Sequence, residues 1–194
     1  MDSIPQRIAY VDETSAKTGA GTRLYGLAAV LTQAQHHPVI EAELTNALPP
    51  GRGYLHHYDE PPDRRAAIAK IIANLPLDGA ILLAEVSSSQ QQERARTRLL
   101  AHLLPRLQHQ EGVERVYLES RSGADRHDRR TRERLRSSRR ISTDFRVDHV
   151  GKSATPLVWL PDFVAGAYIA AMFHGEAEPW DILTTSHVVD VCKP

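Results

Sequence analysis

Apolar residues along the chain follow two rhythms, one of period two and one of three to four. Arg7-Ile8-Ala9-Tyr10-Val11-Asp12-Glu13-Thr14 is a run of β-formers that ends in adjacent carboxylates. Alternation sets Ile8, Tyr10 and Asp12 on one face of that strand and Ala9, Val11 and Glu13 on the other. Residues 15–22, with Gly19 and Gly21, read as a hairpin connection, and residues 24–32 are near-continuously apolar, as in a central strand. Residues 38–44 alternate and predict a third strand. The opening of the chain would then be an antiparallel meander, closed by the loop Pro49-Pro50-Gly51-Arg52-Gly53.

Beyond that loop the rhythm changes. Pro61-Pro62-Asp63 opens a helix striped by Ala67, Ile68, Ile71, Ile72 and Leu75. Residues 80–86 form a short apolar strand. Ser87-Ser88-Ser89 caps a second helix over residues 90–110, striped by Ala95, Leu99, Leu100, Leu103, Leu104 and Leu107, which Pro105 should kink or shorten. Residues 113–120 read as a strand ending in Glu119, 125–140 as an almost wholly polar outer helix, and 145–150 as a further strand. Residues 161–172 form an apolar helix whose alanines and glycine allow close packing on a sheet. These elements predict an α/β fold with a mixed five- to six-stranded sheet, antiparallel meander first, and helices on both faces. The length suits one domain over residues 1–175, with a tail over 176–194 that carries no usable pattern.

Charge changes the picture only locally. The chain has 24 basic and 24 acidic residues and no global imbalance. Arg121, Arg126, Arg129, Arg130, Arg132, Arg134, Arg136, Arg139 and Arg140, however, face only Asp125, Asp128 and Glu133 in the same stretch. Such a patch can attract a polyanion, which makes Arg121, Arg126, Arg129 and Arg130 candidate nucleic-acid contacts. The single cysteine, Cys192, excludes an intrachain disulfide and fits a reducing compartment. With no basic-then-apolar leader and no apolar run approaching a membrane span, the expectation is a cytoplasmic protein that does not contact membrane.

Three acids sit at the edges of otherwise apolar elements: Asp12 and Glu119 at strand ends, and Asp162 in the first turn of a helix. If the sheet is mixed, the two strand ends can lie side by side while the helix start closes over them. Hard cations such as Mg²⁺ or Mn²⁺ take carboxylate oxygens, and a pair of them can activate water against a phosphodiester. Glu85 also ends a strand and competes with Glu119 for the second position. His56-His57, beside Asp59 and Glu60, offers a ligand, a general acid or a phosphate contact. Zinc motifs are absent, and Gly151-Lys152-Ser153 is no phosphate loop, because Arg146 stands where its first glycine must be. A serine nucleophile elbow is missing too.

Four blocks in order resemble the domain-of-unknown-function 3800 family. They are Tyr10-Val11-Asp12-Glu13-Thr14, Leu55-His56-His57-Tyr58-Asp59-Glu60, Leu118-Glu119-Ser120-Arg121 with Asp125 and Asp128, and Pro156-Leu157-Val158-Trp159-Leu160-Pro161-Asp162-Phe163-Val164-Ala165-Gly166. The resemblance runs from residue 8 to 172. It departs at Thr14-Ser15, where the family has Ser-Gly, and at Pro161, which offers no backbone donor before Asp162. It implies a ribonuclease H-like fold and a metal-dependent nuclease in which Asp12, Glu119 and Asp162 hold Mg²⁺ or Mn²⁺, with Glu13 and His57 next in line. DNA and RNA are equally compatible substrates. A non-catalytic module binding nucleic acid or protein on the same fold is the alternative, and a homodimer or protein partner is compatible with either.

Overall fold

The computed structural model describes residues 6–19, 21–88, 91–187 and 189–193. Strands β1 (Arg7–Gly19) and β2 (Thr22–Gln33) form a long hairpin, and β3 (Leu77–Ser88) lies antiparallel on β2. On the other flank, β4 (Arg115–Glu119) runs parallel to β1, and β5 (Arg146–Val150) parallel to β4. The short strand β6 (Val189–Cys192) joins β3, giving a six-stranded mixed sheet in the order β5-β4-β1-β2-β3-β6.

Residues 38–44 are not the third strand. They belong to helix α1 (His37–Asn46), and the residues it buries, Ile40 and Leu44, are four apart, the spacing of one helical face rather than of a pleat. Pro38 fits the first turn, where its missing N–H has no partner to lose. The third antiparallel strand is β3, reached after α1 and α2 (Pro62–Ala73). Of the expected Ser87-Ser88-Ser89 cap, Ser87 and Ser88 instead end β3, Ser89 lies outside the described residues, and the following helix starts at Gln92 with Gln91 as its N-cap.

Alternation along β1 assigns the two layers. Ala9 and Val11 face helix α3 (Gln92–His109) with Leu99, Leu100, Leu103, Leu104 and Leu107, and α4 (Asp125–Ser137) adds Leu135 to this layer. Ile8 and Tyr10 face a layer built from α1, α2, α5 (Trp159–Phe173) and α6 (Glu178–Ser186), with Ile40, Ile68, Phe163, Val164 and Leu183. Each fully buried leucine stabilises the fold by roughly 1.5–3 kcal/mol relative to exposure. The stretch Pro156–Phe173 is long and apolar enough to cross a membrane, contrary to the sequence expectation, but most of it is buried here as a core helix. Past residue 176, where a patternless tail was expected, α6 packs on α2 and α5, with Trp180 edge-on to Tyr168. Arg106 of α3 holds Asp190 of β6 at 2.5 Å.

Pro105 neither ends α3 nor leaves it unsatisfied. A proline cannot donate to the carbonyl four residues back, and that carbonyl, Ala101, accepts instead from Arg140 at 2.8 Å. Arg132 and Arg136, one turn apart on α4, donate to the carbonyls of Val147 and Phe145 along the outer edge of β5. They cover a sheet edge that would otherwise be open to pairing.

A buried ion-pair cluster ties this layer together. Arg96 on α3, 2% exposed, grips Asp128 on α4 with two bonds of 2.9 and 2.8 Å and reaches Glu13 of β1 at 2.5 Å. His149 of β5 approaches Asp128 at 3.2 Å. Burial pushes the Asp128 carboxyl upward, but the bonds from His149 and Arg96 outweigh it and hold it well below the usual range. An Arg96→Leu change would leave Asp128 buried without its bidentate partner. We expect it to cost about 3–5 kcal/mol in equilibrium urea unfolding. Because a depressed carboxylate stabilises above its unfolded pKa, the deficit should shrink as pH falls below about 4.

Candidate active site

The central strand places Asp12 where β1 leaves the helical layers, on the face of Ile8 and Tyr10 that looks toward α5. Glu119 ends β4, two residues beyond Tyr117 on that same face, and Asp162 comes down from the first turn of α5. Lys152, in the turn after β5, binds the three together. Its Nζ lies 3.9 Å from Asp12 Oδ2, 3.4 Å from Glu119 Oε2 and 3.5 Å from Asp162 Oδ1. No two of these oxygens can be farther apart than the sum of two such distances. Asp12, Glu119 and Asp162 therefore meet; Glu85 does not join them, and pairs with Arg98 of α3.

Electrostatics at this point are strained. Burial pushes the Asp12 carboxyl well above its usual range, Glu119 and Asp162 push the same way, and Lys152 with the Glu13 backbone N–H opposes them. Burial alone would favour a neutral Lys152, but Asp162, Asp12 and Glu119 together outweigh it and keep the ammonium charged. Asp162 has a second support. Its Oδ2 accepts the backbone N–H of His57 at 2.7 Å, and His56 Nε2 lies 3.7 Å from Oδ1. That N–H supplies what Pro161 lacks.

His57 is buried edge-on to Phe163, with its Nε2 enclosed and unbonded. Burial, reinforced by Arg65, pushes its pKa down to about 4, so the ring is neutral near pH 7 and serves the site through its backbone. Glu13 points through the sheet to Arg96, Tyr25 and Arg121 and stands apart from the three acids. Arg121 is engaged by Glu93, Asp128 and Glu13, whereas Arg126, Arg129 and Arg130 are exposed and form no ion pair among the described residues.

An open cleft of about 920 Å³ runs over this cluster, lined by Asp12, Glu119, Asp162, Lys152, Arg23 and Arg65. The donor set is entirely carboxylate, the hard oxygen chemistry that Mg²⁺ and Mn²⁺ take. Glu119 Oε2 is buried, and the group facing it is the Lys152 ammonium at 3.4 Å, so a cation already stands where this oxygen points. The spacing is that of an ammonium, however: among the described residues no three His, Cys, Asp or Glu side chains stand at metal-ligand separation. The residues thus fit a divalent ion in chemistry and direction, with Lys152 at the centre. The sequence raised His56 only as one of a histidine pair, and Lys152 only inside a rejected phosphate-loop motif. One of four lysines in an arginine-rich chain carries no motif, and only the fold brings it to the acids.

Among solved structures the chain is similar to the ribonuclease H2 from Pyrococcus horikoshii OT3, with a TM-score of 0.55 at 12% identity over 94% of this chain and 81% of that one. The fold is ribonuclease H-like. A second similar structure is the RNase HII of the PCNA:RNase HII complex from Archaeoglobus fulgidus, with a TM-score of 0.47 and 16% identity over 93% of this chain and 81% of that one. No protein-family model matches the sequence, and no curated protein matches it.

Gly166 makes the His57 seat possible. A Cβ there would stand 2.3 Å from His57 Cγ and 2.6 Å from its Cβ and Nδ1, all close to the backbone that holds Asp162. Gly166→Ala should therefore lower stability by about 1–3 kcal/mol, as overpacking does, read as a reduced denaturant midpoint. An unchanged midpoint would show that His57 can yield at no cost.

Proposed function

We propose that this protein is a divalent-metal-dependent nuclease that hydrolyses phosphodiester bonds in DNA or RNA. The observation that carries the reading is the meeting of Asp12, Glu119 and Asp162 at one cation position, on the central strand of a ribonuclease H-like sheet. The fold shared with a ribonuclease H2 supports it, as does the resemblance of the sequence blocks to the domain-of-unknown-function 3800 family. Asp12, Glu119 and Asp162 would hold Mg²⁺ or Mn²⁺, which when bound activates water and stabilises the leaving oxygen.

The chain's own residues do the rest. The His57 N–H fixes one oxygen of Asp162, and the Glu13 N–H fixes Asp12 Oδ1 at 2.7 Å, so both acids present their remaining oxygens to the cleft. Arg23 brings positive charge to the same cleft, where Arg65 is paired with Glu176, and Arg126, Arg129 and Arg130 offer exposed guanidinium groups on α4 for a polyanion. A cytoplasmic setting accords with the lone cysteine. One observation favours the second reading, a non-catalytic module that binds nucleic acid or protein: the centre of the carboxylate cluster is held by Lys152.

Labelled single- and double-stranded DNA and RNA, incubated with Mg²⁺ or Mn²⁺, decide between the two. Cleavage by the wild type should fall on the order of a hundredfold in Asp12→Asn, and by as much in chelator. The variant should melt no lower than wild type in metal-free buffer, because it relieves repulsion among three carboxylates. Cleavage that survives both Asp12→Asn and chelation would sink the nuclease reading, whereas binding without any cleavage would favour the module.

A further inference from the structure

Three carboxylates around one point need positive charge. In this protein it comes from a single side chain built to reach them. Lys152 is anchored at its backbone, where its carbonyl accepts the Trp159 indole N–H at 2.7 Å, and Trp159 itself is buried at the start of α5. The side chain is 14% exposed, so the ammonium reaches the carboxylates at the edge of the cleft on a four-carbon stem with several rotatable bonds. The Tyr54 ring, with its centroid 5.9 Å from Nζ, flanks the ammonium in this same position as a cation–π contact. The guanidinium group of Arg65, which lines the same cleft, is committed to Glu176 at 2.8 Å.

From this geometry we propose that Lys152 is a resident counter-cation, which a divalent ion must displace from the carboxylates and which thereby sets the metal affinity of the site. The proposal rests on the reading of Asp12, Glu119 and Asp162 as metal ligands. A metal ion takes carboxylate oxygens at about 2.0–2.6 Å. With Nζ within 4 Å of the same three oxygens, an ion among them would be pressed directly against the ammonium. The two cations exclude each other, so occupancy by one is paid in release of the other. Lys152 keeps the metal-free cluster folded and tunes how much free metal is needed to load it.

Mn²⁺ binding to chelator-treated protein, followed by calorimetry and by thermal unfolding, tests this without reference to cleavage. Lys152→Gln should lower the metal-free melting temperature and bind Mn²⁺ at least about tenfold tighter than wild type. Adding Asp12→Asn to Lys152→Gln should abolish the gain. Equal Mn²⁺ affinity in wild type and Lys152→Gln would overturn the proposal and leave the metal-site reading standing. Failure of both to bind would overturn both. Binding by Lys152→Gln alone would uphold the displacement and remove metal-dependent catalysis from the wild type.

A second measurement uses the unaltered chain, should Lys152→Gln not fold. Amine acylation of Lys152, mapped by mass spectrometry against the exposed Lys17 and Lys70, should speed up several-fold at saturating Mn²⁺. Unchanged labelling with Mn²⁺ bound would overturn the proposal.

Discussion

Mutual repulsion among Asp12, Glu119 and Asp162 is the constraint around which this end of the molecule is built. Three carboxylates at one point, two of them buried and the third half-buried, would drive each other apart or take up protons. The protein answers with position and charge. Position comes from covalently separate elements: β1 and β4 are locked in parallel register, and α5 is fixed by the layer of Ile40, Ile68 and Leu183 beneath it. Charge comes from Lys152, and backbone N–H groups of Glu13 and His57 hold the outward oxygens. Close packing extends the demand outward. Gly166 lacks a side chain so that His57 can sit against α5, and it is the seat of His57 that brings its N–H to Asp162.

The opposite face of the same strand solves the same problem differently. Glu13 follows Asp12 and, by alternation, emerges on the other side of the sheet, where Arg96, Arg121 and Tyr25 neutralise it. That side is charge-compensated, with Arg96 in a bidentate pair, and it reads as a structural clamp joining α3, α4 and β5. Two adjacent acids thus have opposite environments. One is compensated by a guanidinium cluster, the other by a single ammonium beside an open cleft. On the displacement proposed for Lys152, only the second arrangement would let a metal ion take the cation's place.

Much of this was legible in the sequence because it depends on local pattern. Asp12, Glu119 and Asp162 each interrupt an apolar element at its edge, and alternation separated Asp12 from Glu13. The helical stripe of α3 spells out its buried face, whereas α2 is turned from the expected stripe: it buries Ala66, Ile68, Ala69 and Ile72 and leaves Ala67 exposed. What escaped depends on contacts between distant residues. Residues 38–44 alternate well enough for a strand, and only the pairing of Ile40 with Leu44 on one face betrays the helix. The segment after 176 has too few apolar positions to show a period, and α6 is held by Trp180 against Tyr168 while β6 borrows its hydrogen bonds from β3. Pro105 reads as a breaker until Arg140, thirty-five residues later, is seen to occupy the carbonyl that it frees. Lys152 belongs to the same class.

The arginine-rich segment shows how far a charge count overstates a binding surface. Arg132, Arg136 and Arg140 hold backbone carbonyls, and Arg121 belongs to the Glu13 clamp. These are structural uses of a group with five fixed donors, which suits several acceptors at once. What remains for a polyanion is the exposed set Arg126, Arg129 and Arg130, on a helix that packs against the face of the sheet opposite Asp12. A nucleic-acid strand touching both would have to pass around the end of β4, where Ser120 and Arg121 link Glu119 to α4. Arg23 needs no such detour, since it lines the cleft that holds the carboxylates. Under the proposed nuclease function, short-range phosphate contacts would therefore fall to the cleft residues. The α4 arginines would contribute only at a distance, where salt screens them most.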